Sequence, residues 1–341
     1  MVNDFDHLAA LPGEEREQKW IQERLETLSV QEGYALAAAL QRDPPVDMAQ
    51  AINQLQSLDY YVVRLYAGSY EALGQAYLRS ETQIPESALL FVDLARVGRN
   101  YEDEHPGLFV GNCYVEYPQK SPEPLYHQGG PLPEDDEWSV KLKLASPAVP
   151  EGVWLRLPGM NPYGDESSTD EALVLQELCV RRWDECDLLD AKCVLPQIGP
   201  LSEQYDDIGD LIYDGIELGY VLSERGQGSP DFMERFTAAL ELEGCHDLKL
   251  ALDISQNLRC YDWVSCDDLE SSAVGLLLDA GVPEELICSG GIDLRGYKAY
   301  LLENEGYTLS ADGSGYILRN SQDFNYQFST PTPEQSGMMM Q

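Results

Sequence analysis

The sequence predicts an α+β fold, an elongated multi-subdomain protein in which mainly helical units flank a small strand-containing subdomain. Three observations predict it. Apolar residues recur at helical spacing through most of the first hundred residues. Val140, Leu142 and Leu144, then Val153, Leu155 and Leu157, alternate as strands do. The first helical texture then returns late in the chain.

In chain order, Pro12 and Glu14-Glu15 mark a helix start. Residues 12–42 read as two helices, the first with Trp20, Leu25 and Leu28 as its stripe and the second Ala-rich and stopped by Pro44-Pro45. Val46 to Leu58 is a third, with Met48, Ala51, Ile52 and Leu55 inward. Tyr60 to Leu65 is β-rich and short. Tyr70 to Ser80 and Leu89 to Tyr101 are helical on either side of a turn at Pro85, and Gly107 to Val115 closes the unit in extended form. Tyr117 to Glu137 is rich in proline and ends in Glu134-Asp-Asp-Glu137, the composition of a linker. After the two strands, Asp165 to Glu171 is a loop into a helix that runs to Val180, with Thr169/Asp170 as its N-cap. Lys192 to Leu195 is a third strand, Leu201 to Gly215 a helix, and Pro230 to Leu242 another with Phe232, Phe236 and Leu240 on one side.

From there the sequence repeats. Ala251 to Tyr261 lies over Ala51 to Tyr61, Val282-Pro-Glu over Ile84-Pro-Glu, Ile292-Asp-Leu over Val92-Asp-Leu, and Gly313-Ser-Gly-Tyr-Ile317 over Gly111-Asn-Cys-Tyr-Val115. The order of elements is kept over about 70 residues, which reports a duplicated structural unit. The expected organisation is therefore a helical unit at 1–116, a linker at 117–137, an α/β subdomain at 138–230, a second helical unit at 231–320 and a disordered tail at 321–341.

Charge sets the chemistry. The chain carries 60 acidic and 22 basic residues, a net of −38. The surplus is as large after Lys192 as before it, so it sits on folded parts and not on a tail. Such a surface repels nucleic acid and anionic membranes and attracts basic proteins, the DNA grooves of nucleases and methyltransferases among them. Halophilic adaptation and ordinary bacterial acidity are the bland alternatives. The N-terminus has no basic and apolar leader, no run of about 18 apolar residues exists, and the cysteines include no C-x-x-C, so a cytoplasmic protein with buried reduced thiols is expected. His7, His105, His127 and His246 stand at no zinc-site spacing from the even series Cys179, Cys186 and Cys193.

No nucleophile elbow, Walker loop, H-E-x-x-H or G-x-G-x-x-G occurs. Gly226-Gln-Gly228 reads as a turn, and Cys245-His246 as a helix end. Carboxylates are too many for counting to exclude an acid/base pair, but none is singled out. Asp206-Asp207 and Asp210 lack a Ca²⁺-loop pattern. No enzyme, no cofactor and no metal site is expected. What stands out is a row. Read as a helix, Leu201 to Gly215 puts Ile208, Leu211 and Ile212 on one stripe and Asp206, Asp210 and Asp214 on another, about 6 Å apart along the axis. Like charges so placed destabilise a helix, and no Lys or Arg lies between Lys192 and Arg225. The candidate partner-binding carboxylates are Asp165, Glu166, Asp170 and Glu171, then Asp184, Glu185, Asp187 and Asp190, then Glu203, Asp206, Asp207, Asp210 and Asp214, then Asp262, Asp267, Asp268 and Glu270. B-DNA carries one charge per roughly 1.7 Å of axis, a density that carboxylates on neighbouring helices approximate.

Four stretches resemble the N-terminal half of ArdA-type antirestriction proteins: Gly152-Val-Trp-Leu-Arg-Leu-Pro158, Thr169-Asp-Glu-Ala-Leu173, Asp190-Ala-Lys-Cys-Val-Leu195 and Leu201 to Leu211. That family carries a W-x-x-x-P strand, an E-rich helix and an acidic E-Y-x-x-I-x-x-L helix; here Glu203-Gln-Tyr205, Ile208 and Leu211 stand in comparable places. The repeated unit, with Val92 to Arg99 and Gly111 to Val115, is similar to the family's C-terminal half. Its first copy keeps Gly98-Arg99, where the second has Lys298-Ala299. The resemblance covers about 138–320, with 46–118 as an extra C-terminal-half copy.

The resemblance implies a mobile-element protein that mimics bent B-DNA in the DNA groove of type I restriction–modification enzymes, usually as an elongated homodimer. Two similar acidic units in one chain would replace part of what a second subunit supplies. The implied partner is a basic DNA-binding protein, with no direct nucleic acid and no membrane. Two alternatives stay open: inhibition of another nucleic-acid-binding defence effector, such as a CRISPR complex, and an acidic adaptor that binds a basic protein without imitating DNA.

Overall fold

The structure is a computed structural model that describes residues 5–81, 84–133, 138–159, 170–225 and 231–330. Among them are thirteen α-helices and three three-stranded antiparallel sheets, an α+β protein of several subdomains. The chain divides into two compact units. One holds residues up to Lys192 together with Asp207–Gly209, the other Cys193–Asp206 and residues from Asp210 on. The division falls inside the expected 138–230 subdomain.

The first unit opens with α1 (Glu15–Glu26) and α2 (Val30–Arg42). Each starts with a capping box, Glu14 with Glu17 and Ser29 with Glu32, so the first backbone donors are satisfied locally. Helix α3 (Met48–Gln56) is capped by Asp47, whose carboxylate accepts from Gln50 N at 2.8 Å. Met48, Ala51, Ile52 and Leu55 enter a core with Leu8, Ile21, Leu36 and Leu58, as their spacing predicts. Strand β1 (Val62–Arg64), α4 (Tyr70–Glu81), α5 (Glu86–Leu89), α6 (Leu94–Glu104), β2 (Gly107–Val110) and β3 (Cys113–Glu116) follow, with β3 central between β1 and β2. The helix expected over 89–101 starts only at Leu94, where Asp93 caps it by accepting from Arg96 N at 3.0 Å, and Leu89 ends the separate α5.

Helices α4 and α6 meet through glycine. A Cβ on Gly98 would lie 2.0 Å from Tyr70 O, and one on Gly74 2.1 Å from Leu94 O. The two backbones touch, and no side chain fits between them.

Strands β4 (Val140–Ser146) and β5 (Val149–Leu157) form a hairpin, with β6 (Asp187–Cys193) on the other edge of β4. The third strand thus begins five residues before the expected Lys192. Val140, Leu142 and Leu144 are fully buried. Helix α7 (Asp170–Glu177) packs on β5. The Thr169 cap lies outside the described residues.

Two sequence expectations are overturned by packing. The expected linker at 117–137 docks on the first core: Tyr126 is 1 % exposed, donates to Glu17 at 2.7 Å and exchanges hydrogen bonds with the Asn53 amide. Its acidic end, 134–137, lies outside the described residues. The expected disordered tail is packed over 321–329. Phe324 is buried, and the Asp253 carboxylate, itself fully buried, accepts from the N–H groups of Gln327, Phe328 and Ser329 and from Ser329 Oγ. Residues 331–341 lie outside the described residues. In both places Pro- or polar-rich composition hid one aromatic anchor and a polar side chain on the preceding helix that receives the backbone.

The second unit repeats the first. After α8 (Ile208–Tyr220) and α9 (Phe232–Leu242) come α10 (Leu248–Gln256), β7 (Tyr261–Ser265), α11 (Leu269–Asp279), α12 (Glu284–Ile287), α13 (Leu294–Asn304), β8 (Thr308–Leu309) and β9 (Gly315–Arg319). The sheet order β7-β9-β8 is that of β1-β3-β2. Asp247 and Asp293 cap α10 and α13 as Asp47 and Asp93 cap α3 and α6. Asn257 clamps Asn325 in both directions, as Asn53 clamps Tyr126. Where α6 has Gly98, α13 has Lys298, and Gly275 of α11 has no atom near its missing Cβ.

A buried ion triad joins the helices of the first unit to its strands. Glu32 receives Arg24 of α1 and Arg156 of β5, with all three side chains under a tenth exposed. Burial alone would raise the Glu32 carboxyl. The two guanidiniums and the Ser29 N–H outweigh it and hold the group well below the usual carboxylate range.

Two measurements check this packing. Gly98→Ala is expected to destabilise the chain by about 2 kcal/mol, whereas Gly275→Ala, in open space on a helix, is expected to stabilise it by up to about 1 kcal/mol; urea unfolding reads both. A carboxyl held low when folded contributes stability above its unfolded value, lost as pH falls below it. Glu32→Gln is therefore expected to cost about 3 kcal/mol near neutrality, a deficit that shrinks below about pH 4.

Candidate partner-binding carboxylates

The structure sorts the candidate carboxylates by exposure. Asp165 and Glu166 lie outside the described residues. Asp184, Glu185, Asp187 and Asp190 are exposed, on the turn before β6 and on that edge strand itself. Charge on an edge strand also deters pairing with another sheet. Arg182 reaches Asp184 at 3.0 Å, and the Asp190 carboxylate accepts from Ala191 N at 2.8 Å. Glu203, Asp206, Asp207 and Asp210 are exposed, as are Asp262, Asp267, Asp268 and Glu270. Asp267, Asp268 and Glu270 flank the start of α11, where the helix dipole favours anions. Asp262 accepts from the Asn320 amide at 3.0 Å.

Two candidates are not available to a partner. Asp170 is 3 % exposed at the start of α7, and Asp214 is 5 % exposed. Glu171 is half-buried, and burial raises its carboxyl.

The row of three aspartates does not form. A short 3-10 turn covers Leu201–Glu203, and the helix begins only at Ile208. Asp206 precedes it, Asp207 turns back to accept from Gly209 N, and Asp210 stands in the first turn. Leu211 and Ile212 are buried as the stripe requires, but Asp214 goes in with them. Tyr205 donates to it at 2.7 Å, and Lys249 of α10 lies over the Tyr205 ring at 5.0 Å. Burial raises the Asp214 carboxyl, with the Tyr205 hydroxyl and Lys249 pulling it back and Asp210 and Asp247 adding to it. The sequence held the sign of this: a like-charged row is costly on a helix. The chain avoids the cost by starting the helix late and turning one member inward.

Sequence reading missed Glu102-Asp-Glu104 at the end of α6. Asp103 and Glu104 are exposed, and Glu102 accepts from Tyr70 OH. The available signal was position, since acids at a helix C-terminus oppose the dipole. It also passed over the polar face of β4, with Lys141 and Lys143.

The cysteines are all free. Cys113, Cys245 and Cys260 are buried as expected, whereas Cys179 and Cys288 are exposed. Burial pushes Cys113 and Cys245 up to about 12, so neither supplies a thiolate near neutral pH. Among the described residues no group of three His, Cys, Asp or Glu is arranged to hold a metal ion, and no helix is long and apolar enough to cross a membrane.

A carboxyl raised in the folded state costs stability near neutral pH, a cost relieved as pH falls through its folded value. Asp214→Asn keeps an acceptor for Tyr205 and removes that cost. Its stability relative to the native chain is expected to be greatest at neutral pH and to decline toward about pH 4, read by urea midpoints across that range.

Comparison with protein-family models, with curated proteins and with solved structures finds no match.

Proposed function

We propose that the protein is a non-enzymatic, cytoplasmic inhibitor that presents carboxylates in place of DNA phosphates and occupies the DNA groove of a type I restriction–modification enzyme. The observation that carries the reading is the exposed acidic stretches, Asp184 to Asp190, Glu203 to Asp210 and Asp262 to Glu270, on a folded chain of net charge −38. The ArdA-like residues support the choice of target. A groove that binds DNA through phosphate contacts uses Lys and Arg that pair equally well with carboxylates. Mimicry of this kind needs many carboxylates acting together, so each one contributes little. A chain of this charge is itself repelled by DNA and binds its target in competition with it.

The test is DNA cleavage and methylation by a purified type I enzyme as the protein is titrated in. Inhibition is expected to be competitive with DNA and to weaken steeply as salt rises. Charge reversals at Asp187, Asp210 and Asp268 are each expected to weaken inhibition a few-fold and to accumulate. Unchanged cleavage and methylation at low salt with the protein in excess overturns the target. One reversal abolishing binding while the others do nothing identifies an adaptor contact instead.

A further inference from the structure

A cleft of about 580 Å³ opens in the first unit where the ends of α2, α6 and β3 come together, a volume within the range of small-molecule sites. Arg42, the last residue of α2, and Glu104, the last of α6, line it with Tyr60, His105, Glu116 and Tyr117. The second copy of the unit shows what the fold itself needs there. Its helices α9 and α13 end in Leu242 and Asn304. On the paired strands, Arg64 stands opposite Tyr114 and Glu116 opposite Val62; in the second copy Val264 stands opposite Tyr316 and Leu318 opposite Asp262. The charges of Arg42, Arg64, Glu104 and Glu116 are thus all missing at the matching positions of the second copy, whose sheet closes in the same order. A buried ion pair such as Arg64 with Glu116 adds little stability over apolar residues of similar size. The charges of this cleft are therefore not what folding alone selects.

The floor of the cleft is held by its own partners. Glu116 is buried, and one of its carboxylate oxygens accepts from Arg64 and, at 2.6 Å, from the Tyr101 hydroxyl. His105 stacks on the Tyr101 ring at 4.5 Å between centres, with Nδ1 3.7 Å from the other Glu116 oxygen. The rim is different. Arg42 and Glu104 are both exposed. Arg42 lies over the Tyr117 ring at 4.5 Å, a contact that consumes none of its five N–H donors. Among the described residues neither Arg42 nor Glu104 makes an ion pair or a side-chain hydrogen bond, with each other or with any other group. In a chain of 60 acids and 22 bases, an arginine without a carboxylate is conspicuous. Opposite charges that line one cleft without pairing leave room for a ligand that meets both.

We propose that this cleft binds a free amino acid with an apolar side chain, its carboxylate on Arg42 and its ammonium on Glu104. Tyr60, more than half exposed, and Val62 supply the apolar wall for the side chain. Both ends of the ligand then make charge-assisted hydrogen bonds. A zwitterion has no net charge, so the field of a chain at −38 does not repel it as it repels an anion. A simple cation is drawn by that field but leaves Arg42 without a partner. The site uses none of the carboxylates of the proposed inhibition and does not depend on that reading.

The experiment is calorimetric titration of the full chain with phenylalanine and with leucine at about 0.15 M salt, where the screening length is about 8 Å. Each is compared with the amine that lacks its carboxylate (phenethylamine, isoamylamine), with the acid that lacks its ammonium (phenylpropionate, isocaproate) and with glycine. At least one of the two amino acids is expected to bind, with its amine, its acid and glycine each at least about tenfold weaker, as when one charge-assisted contact or the apolar contact is lost. Arg42→Gln is expected to weaken that amino acid about tenfold and its amine not at all, and Glu104→Gln to weaken it about tenfold and its acid not at all. A merely structural role would weaken all three ligands together. Urea midpoints confirm that the variants are folded, and the comparison of ligands on the native chain decides the matter if one is not. No binding of either amino acid at millimolar concentration, an amine or acid that binds as tightly as its amino acid, or unchanged binding by both folded variants overturns the proposal.

Discussion

Self-repulsion is the constraint on this chain. With a net charge of −38, compaction brings like charges together, and only 22 cations are present to oppose it. The structure places key cations at internal junctions. Arg24 and Arg156 converge on Glu32, and Arg64 pairs with Glu116, which also accepts from Tyr101. In the second unit Arg319 pairs with Glu243, which also accepts from Tyr261, while Arg235 donates to the Leu258 and Tyr261 carbonyls. Arg64 joins neighbouring strands of one sheet and the others tie a strand or helix to the next layer, each through a partly or wholly buried contact where screening is weak. The acidic stretches are left on the outside, which is the property the proposed inhibition requires.

The duplicated unit shows how one fold is closed in two ways. Both copies lay a later segment over the helix that precedes their sheet, gripping it with an amide at Asn53 or Asn257. The second copy adds Asp253, at the position of Asn53, and gathers three successive backbone donors with it. A fully buried carboxylate is tolerated there because its acceptor sites are filled. The copies differ where their helix pairs meet. Gly74 and Gly98 allow backbone contact in the first, and the second dispenses with it.

Helices, the β4–β5 hairpin and the repeat were legible because each rests on a local period or on caps such as Asp47 and Asp247. Three features were not. The strap through Tyr126 and the one after Asn320 depend on long-range hydrogen bonds to Glu17, Asn53 and Asp253 that no local pattern encodes. The division near Lys192 falls within a continuous strand, where composition does not change. The aspartate row was read from spacing alone, and Tyr205 and Lys249 decide its fate from elsewhere in the unit. Most exposed members of the candidate set lie where turns and edges place them, so local polarity identified them. Asp170 and Asp214 sit in helices, where the next turn of apolar residues takes them inward.

Cations stabilise the interior while the surface remains self-repulsive. The thermal unfolding midpoint measured from about 10 mM to about 1 M sodium chloride at neutral pH tests it most directly, since the screening length falls from about 30 Å to about 3 Å over that range. The midpoint is expected to rise steadily with salt as surface repulsion is screened. A midpoint that falls with salt would mean that exposed ion pairs hold the fold together, and would contradict it.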